Sequence, residues 1–309
     1  MYNDELKQRY IQDKTQRTTV DEYYYPSLFK KTSVFEEQLQ KDLCNFTVSE
    51  IEDMMKMWGF TSYNNIATFL SSCSIYVNWC MNQGMVLDSQ NHFAEIKPER
   101  YSSFVDKTIY EMRIASREQI MEWVMELQNP SDQFVFLGVF EGLKGKGYCE
   151  YVDLLESDID IKSSTINLRN TRGKVKFSKE LCNFGLQSAE TLVYTPSTGK
   201  MSKETKLIES DKVIKDPVNM RSNRTMESAG RRTYFKLLRA FNYLGIDSYF
   251  DPNSLQNSGM IDMINRRSAE LQISKTDYVN NYISEINFQY GKNYKAYGLI
   301  RKLGDICLT

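Results

Sequence analysis

Apolar residues recur at three- and four-residue intervals along most of this chain, the spacing of helices with one buried face. The clearest stripe lies in residues 227–245, where Tyr234, Leu237, Leu238, Phe241 and Leu244 share a face. Ser228 is placed to cap its start, and Gly245 to stop it. Earlier, Thr47-Val48-Ser49-Glu50 reads as an N-cap with acids in the first turn, followed by Ile51, Met54, Met55 and Trp58 until Gly59. Ile66, Phe69, Leu70, Cys73, Tyr76, Val77 and Cys80 form the next stripe, between a cap at Ser62 and a stop at Gly84. Residues 35–110 are therefore expected to be an all-helical unit of roughly four helices. Residues 1–34 are polar, tyrosine-rich and weakly periodic, and read as an N-terminal arm or an added short helix.

The pattern lapses over residues 100–115, which predicts a hinge and a second domain over residues 111–309. That domain opens with the capping sequence Ser116-Arg117-Glu118-Gln119. Two helices follow, SREQIMEWVMEL and PSDQFVFLGVFEGL, with a turn at Asn129-Pro130. Alternation appears once: Ile166 and Leu168 are answered by Val175 and Phe177 across a turn at Arg172-Gly173, which predicts a hairpin. Residues 190–227 are uneven and read as loops with one short helix. Beyond the 227–245 helix, DPNSLQNSGMIDMINRRSAE and TDYVNNYISEINFQYGKNYKAYGLIRKL carry further segments, the last an amphipathic helix suited to packing on a neighbour. The fold class is α-rich α+β, with one small antiparallel sheet.

Composition narrows the function. Hydrophobic residues make up 41% and charged residues 26%, which is globular rather than disordered. No stretch nears the ~18 apolar residues of a membrane span, and MYNDELKQRY is no signal peptide, so a cytoplasmic protein with no membrane partner is expected. Six cysteines without a CxxC pair and a single histidine, His92, argue against a metal site, and no cofactor motif appears. Cys73 and Cys80 read as small core residues. The net charge of −1 conceals an uneven distribution. Residues 1–110 hold 11 Lys and Arg against 15 Asp and Glu; residues 111–309 hold 28 against 25. Residues 162–179 carry six basic residues and no acid, and residues 200–239 carry 11 basic against 5 acidic. Concentrated basic stretches on a nearly neutral chain point to a local surface for polyanions. Arg224, Arg231, Arg232, Lys236 and Arg239 cluster around one helix start, where free backbone N–H groups favour phosphate.

Ser228-Ala229-Gly230-Arg231, at the start of an apolar helix stopped by glycine, resembles the His-x-x-Arg box of the tyrosine recombinases, the phage-integrase family. Gly142-Leu143-Lys144-Gly145-Lys146-Gly147-Tyr148-Cys149-Glu150 sits where that family has Gly-x-Arg-x-x-Glu, with Lys144 nearest the arginine. Asn170 stands at the place of the hairpin lysine, with Lys174 and Lys176 as alternatives. Gly259-Met260 resembles the Leu-Gly-His box, with Met260 for histidine, and Tyr278 and Tyr282 are best placed for the nucleophile. Residues 35–110 are similar to the SAM-like, core-binding N-terminal domain of phage integrases. The resemblance implies a two-domain recombinase scaffold on double-stranded DNA. Strand transfer needs two arginines on the phosphate and imidazole or an equivalent for the proton. Here one arginine is replaced by lysine and both histidines are missing, so an inactive site is expected. That combination resembles the repressors of SPβ-type temperate phages, and implies an operator-binding transcriptional repressor that maintains lysogeny on a bacterial nucleoid. Lys144, Lys146, Arg169, Arg172, Lys174, Lys176, Arg224, Arg231, Arg232 and Lys236 are the expected DNA contacts. A regulatory protein or peptide and self-association through the C-terminal helix are further expected partners. A divergent active recombinase and a protein-interaction module on the same fold remain the alternatives.

Overall fold

The computed structural model describes residues 1–15, 21–87, 90–195, 204–218 and 225–303, and divides into two compact units, Met1–Tyr110 and Glu111–Thr309. The first contains α1 (Asp4–Thr15), α2 (Asp21–Leu39), α3 (Val48–Trp58) and α4 (Tyr63–Asn82). Short 3-10 turns follow, and α5 (Lys107–Glu111) spans the division. The helix limits of α3 and α4 follow their caps. Thr47 and Glu50 form a reciprocal capping box, Gly59 ends α3 at φ +56°, and the Ser62 side chain accepts from Asn65 N. Cys73 and Cys80 are fully buried, with Ile51, Met54, Met55, Ile66 and Tyr76.

Of residues 1–34, expected to be an arm or an added short helix, the described ones lie mostly in α1 and α2 and supply part of the core. Tyr10 lies edge-on to Tyr25, Phe29 and Tyr76, with ring centroids 5.0–5.8 Å apart. Lys7 and Glu36 are both fully buried and form an ion pair, which Thr32 Oγ1 and the Leu43 backbone N–H complete by donating to the carboxylate. Such a pair makes a buried surface look solvated in the sequence, which is why the periodicity is weak. Buried charges are tolerated only when paired and hydrogen-bonded.

The second unit is built on α7 (Pro130–Glu141), preceded by α6 (Arg117–Glu126). Phe134 through Phe140 are buried without a break, so α7 has no solvent face and must be covered on all sides. A three-stranded antiparallel sheet follows, in the order β1 (Ile159–Asp160), β2 (Thr165–Leu168), β3 (Gly173–Lys176). Ile166 faces Val175 and Leu168 faces Gly173, so the expected hairpin is present, but its turn spans residues 169–172 and Gly173 already opens β3. Helix α8 (Lys179–Glu190) packs on α7. Over residues 191–218 the described chain holds no helix; β4 (Val193–Tyr194) pairs instead with β5 (Thr205–Lys206). The remaining helices are α9 (Met226–Tyr243), α10 (Pro252–Leu271), α11 (Lys275–Tyr290) and α12 (Ala296–Leu303). Helix α10 crosses α7 so closely that a Cβ on Gly259 would stand 1.7 Å from the Phe140 carbonyl oxygen. Among the described residues no helix is long and apolar enough to cross a membrane, and no group of three or more His, Cys, Asp or Glu could hold a metal ion.

Candidate nucleic-acid interface

Helix α9 carries Arg231, Arg232, Lys236 and Arg239 beyond a first turn that holds Glu227, and its limits are set by side chains and by glycine. The N-cap is Thr225, which accepts from Ser228 N at 3.2 Å; Ser228 lies inside the first turn and is not the cap. At the other end, Gly245 N donates to Asn242 O and Ile246 N to Phe241 O, with Gly245 at φ +62°, a Schellman stop. Gly230, Thr233, Leu237, Ala240 and Phe241 are buried, while Tyr234, Leu238 and Leu244 are half-buried. The packing face is therefore turned toward the small residues, and Arg231 is left exposed, with no ion pair among the described residues.

Gly230 explains how two distant stretches meet. A Cβ there would lie 2.0 Å from the Gly147 carbonyl oxygen, so only glycine lets the loop of residues 142–151 lie against the start of α9. Gly147 and Tyr148 both adopt left-handed backbone, at φ +61° and +65°. Left-handed geometry at a tyrosine costs about 1–2 kcal/mol. It is held because the Tyr148 ring packs on Tyr234 of α9 at 5.6 Å and beneath the Lys144 ammonium at 5.2 Å. The loop that carries Lys144 and Lys146 thus lies against the start of α9, one residue before Arg231.

Glu150 fixes the loop from inside. Its carboxylate accepts from Lys144 N, Thr171 Oγ1, and Arg172 Nε and Nη2 at 2.6–3.0 Å, filling its acceptor positions. Arg172 also donates to the carbonyls of Gly142, Phe288 and Gln289. All five of its N–H donors are consumed within the protein, so the expected DNA contact at Arg172 is a correction: it is an internal tie. The carbonyl at the end of α7, the hairpin turn and the end of α11 converge on this one guanidinium.

Other expected contacts separate in the same way. Lys236 is mostly buried, donates to Ser131 Oγ and Asp132 Oδ1 at 3.0 Å, and stands 4.0 Å over the Tyr194 ring. Burial lowers its proton affinity and Asp132 opposes that, which makes it a buried structural cation rather than a DNA contact. Arg169 Nε donates to Asp158 at 2.5 Å, and Arg232 pairs with Asp216 at 2.7 Å, so each is shared with an acid. Lys146, Lys174 and Lys176 are exposed, as is Asn170 beside the hairpin turn. Arg224 lies outside the described residues.

The positions expected to carry catalysis differ in their exposure. Met260 is fully buried in α10. Tyr278 is also fully buried, and stacks on Tyr282 at 5.2 Å. Burial, then the Glu285 carboxylate, pushes the Tyr278 phenol up to about 12. Tyr282 is 38% exposed, at a kink where α11 reaches φ −122°. The sole histidine, His92, belongs to the first unit, beside Glu95 at 2.9 Å.

Lys144 itself is perturbed. Burial, then the charges of Lys292 and Lys302, push its ammonium down to about 8. Neither of those lysines was singled out from the sequence, although residues 291–303 hold four basic residues and no acid.

Two family models match this chain: "MrpR, N-terminal core-binding domain" over residues 1–83, and "MrpR, C-terminal catalytic domain" over residues 114–303. The chain belongs to the MrpR family. Its architecture is accordingly that of a tyrosine recombinase, a core-binding domain followed by a catalytic-type domain. The SPbeta prophage-derived uncharacterized protein YopR of Bacillus subtilis (strain 168) is 21% identical over 306 residues, covering 96% of this chain and 91% of that protein. A solved structure described as the crystal structure of XerA recombinase matches with a TM-score of 0.41 at 13% identity, covering 99% of this chain and 95% of that one. In this MrpR-family chain the basic loop of residues 142–151 and the start of α9 adjoin, while of the two candidate tyrosines on α11 Tyr278 is buried and Tyr282 exposed.

Proposed function

We propose that this MrpR-family protein binds double-stranded DNA as a sequence-specific transcriptional repressor of a temperate phage, on the bacterial nucleoid, without cutting the strands. The observation that carries the reading is the contact of the loop bearing Lys144 and Lys146 with the start of α9 bearing Arg231, none of the three paired with an acid among the described residues. The Gly230 contact and the Glu150–Arg172 tie hold them together. Cations fixed in place on the protein and lacking internal partners are suited to backbone phosphates.

What surrounds that set supports the absence of cleavage. The described part of the second unit contains no imidazole, and the Tyr278 phenol is buried and held protonated. Lysine at position 144 supplies a point charge where a bidentate guanidinium would grip the phosphorane. The prophage origin of the relative YopR supports a role in phage regulation. Exposure of Tyr282 favours the second reading, a divergent active recombinase.

One pair of measurements tests both. Arg231→Ala should weaken binding to operator and unrelated duplexes by similar factors and lower the salt slope by about one unit, with melting unchanged. Nicked suicide substrates carrying the bound sequence should give no denaturation-resistant adduct. An adduct lost on Tyr282→Phe or Tyr278→Phe would establish the recombinase instead, and a parent protein with no affinity for duplex DNA would end the repressor reading.

A further inference from the structure

The turn after α11 builds a second half onto the loop of residues 142–151. Gly291 ends α11 at φ +56°, and Asn287 clamps the turn, donating to Tyr294 O and accepting from Tyr294 N at 2.8 Å. The Tyr294 hydroxyl in turn accepts from Lys302 Nζ of α12 at 2.8 Å, and the ammonium stands 4.9 Å from that ring. Leu299 and Leu303 bury the apolar side of α12, so Lys302 is held and not free to wander. A cleft of about 370 Å³ lies between the two halves, lined by Gly145, Lys146, Thr171, Arg172, Gly291 and Lys292.

Positive charge in this region is not neutralised from within. Lys144, Lys146, Lys292 and Lys302 form no ion pair among the described residues. The two nearby carboxylates are committed elsewhere. Glu150 is filled by Arg172, Thr171 and Lys144 N. Asp251 caps α10 through Asn253 N and Ser254 N and lies 3.7 Å from Arg113. Burial pushes Lys302 down to about 8, against the pull of Asp251, and Lys144 is lowered to about 8 by burial and by its lysine neighbours. The partly buried ammoniums of Lys144 and Lys302 are relieved by an anion.

We propose that Lys144, Lys146, Lys292 and Lys302 form one site for the backbone phosphates of DNA, half of it supplied by the α11–α12 segment. The site rests on the DNA-binding reading above and deepens it: docking of α12 on its own chain becomes part of the phosphate grip. Lysines suit the task, since they act as point charges on a passing backbone and need no fixed fork geometry.

The test uses the full chain and a fluorescein-labelled duplex of mixed sequence, titrated at several salt concentrations. Lys292→Gln and Lys302→Met should each weaken binding by roughly threefold to tenfold and lower the salt slope by about one unit. Methionine keeps the aliphatic stem over Tyr294, and a melting curve on each variant shows that α12 stays docked. A second arm reads pH. Because bound phosphate holds the ammoniums charged, affinity should fall as pH rises from about 7 to about 9.5, through the depressed lysine values. The double variant Lys144→Arg with Lys302→Arg stays charged and should bind with no such fall. Tyr148, Tyr294, Glu150, Asp251, Arg113 and Lys292 face the cluster and are unchanged in that variant, so the difference isolates the two lysines. Parental salt slopes in both Lys292→Gln and Lys302→Met, or a pH dependence that persists in the double arginine variant, overturn the site. If Arg231→Ala still weakens binding in that case, the DNA reading survives without it. A parent that binds no duplex at all removes both.

Discussion

The four arginines expected on DNA that are described here differ in how many of their N–H donors are already spent. Arg172 has none left: its donors end on Glu150 and on the carbonyls of Gly142, Phe288 and Gln289. Arg169 and Arg232 are each shared with one acid, and Arg231 has no such partner among the described residues. Removing one member of a buried ion pair leaves an uncompensated charge, a loss of about 3–5 kcal/mol. Arg172→Ala should therefore destabilise the second unit by about that amount in a denaturant titration, because Glu150 would be left buried with half its donors. The same substitution at Arg231 should leave the midpoint unchanged. Equal midpoints for the parent and Arg172→Ala would show that the tie is dispensable.

At the scale of elements, the meeting of α9 with the loop of residues 142–151 decides the site, and it depends on the absence of one methyl group. With a Cβ 2.0 Å from the Gly147 carbonyl oxygen, Gly230→Ala forces backbone to move on one side or the other. Helix propensity alone would make alanine the better residue there by about 1 kcal/mol. The clash should outweigh it, since overpacking against fixed backbone costs about 1–3 kcal/mol. Gly230→Ala should lower the thermal midpoint and weaken duplex binding further than its stability loss explains, because Lys144 and Lys146 move away from Arg231. A variant as stable and as tightly bound as the parent would mean that the loop is not held by this contact. Gly259 has a comparable role between α10 and α7, but it supports the core rather than the cationic surface.

For the whole molecule, each unit encloses its own core: one is centred on Tyr10, Phe29, Tyr76 and Met55, the other on α7 from Phe134 to Phe140. A domain with a closed core can fold by itself. Residues 111–309 expressed alone should therefore unfold cooperatively, with fixed tertiary near-ultraviolet signals. The fragment should retain the part of the salt slope that depends on Arg231 and the lysine cluster. A fragment with secondary structure but no fixed tertiary signal would show that the second core is incomplete without the first.

Local sequence determined what local physics controls. The caps at Thr47, Ser62 and Ser116, the stops at Gly59 and Gly245, and the presence of the hairpin are decided by residues within one or two turns of one another, so they could be read directly, though the hairpin turn falls at residues 169–172. The family's scaffold was legible for the same reason, because its boxes are short and carry their own helix starts. Ser228 shows the limit of that reading: Thr225, three residues earlier, is the equivalent cap, and only backbone geometry separates them. What the tertiary structure decided depends on distance in space. Lys7 and Glu36 look solvated in the sequence and are buried as a pair. Arg172 and Lys236 look like surface cations, and each is consumed by groups far away in the chain. Lys292 and Lys302 carried no local signal beyond their charge, yet they stand close enough to Lys144 to lower its proton affinity. A charged side chain is free or spent according to which carboxylates and carbonyls the fold brings to it, and no periodicity in the sequence encodes that.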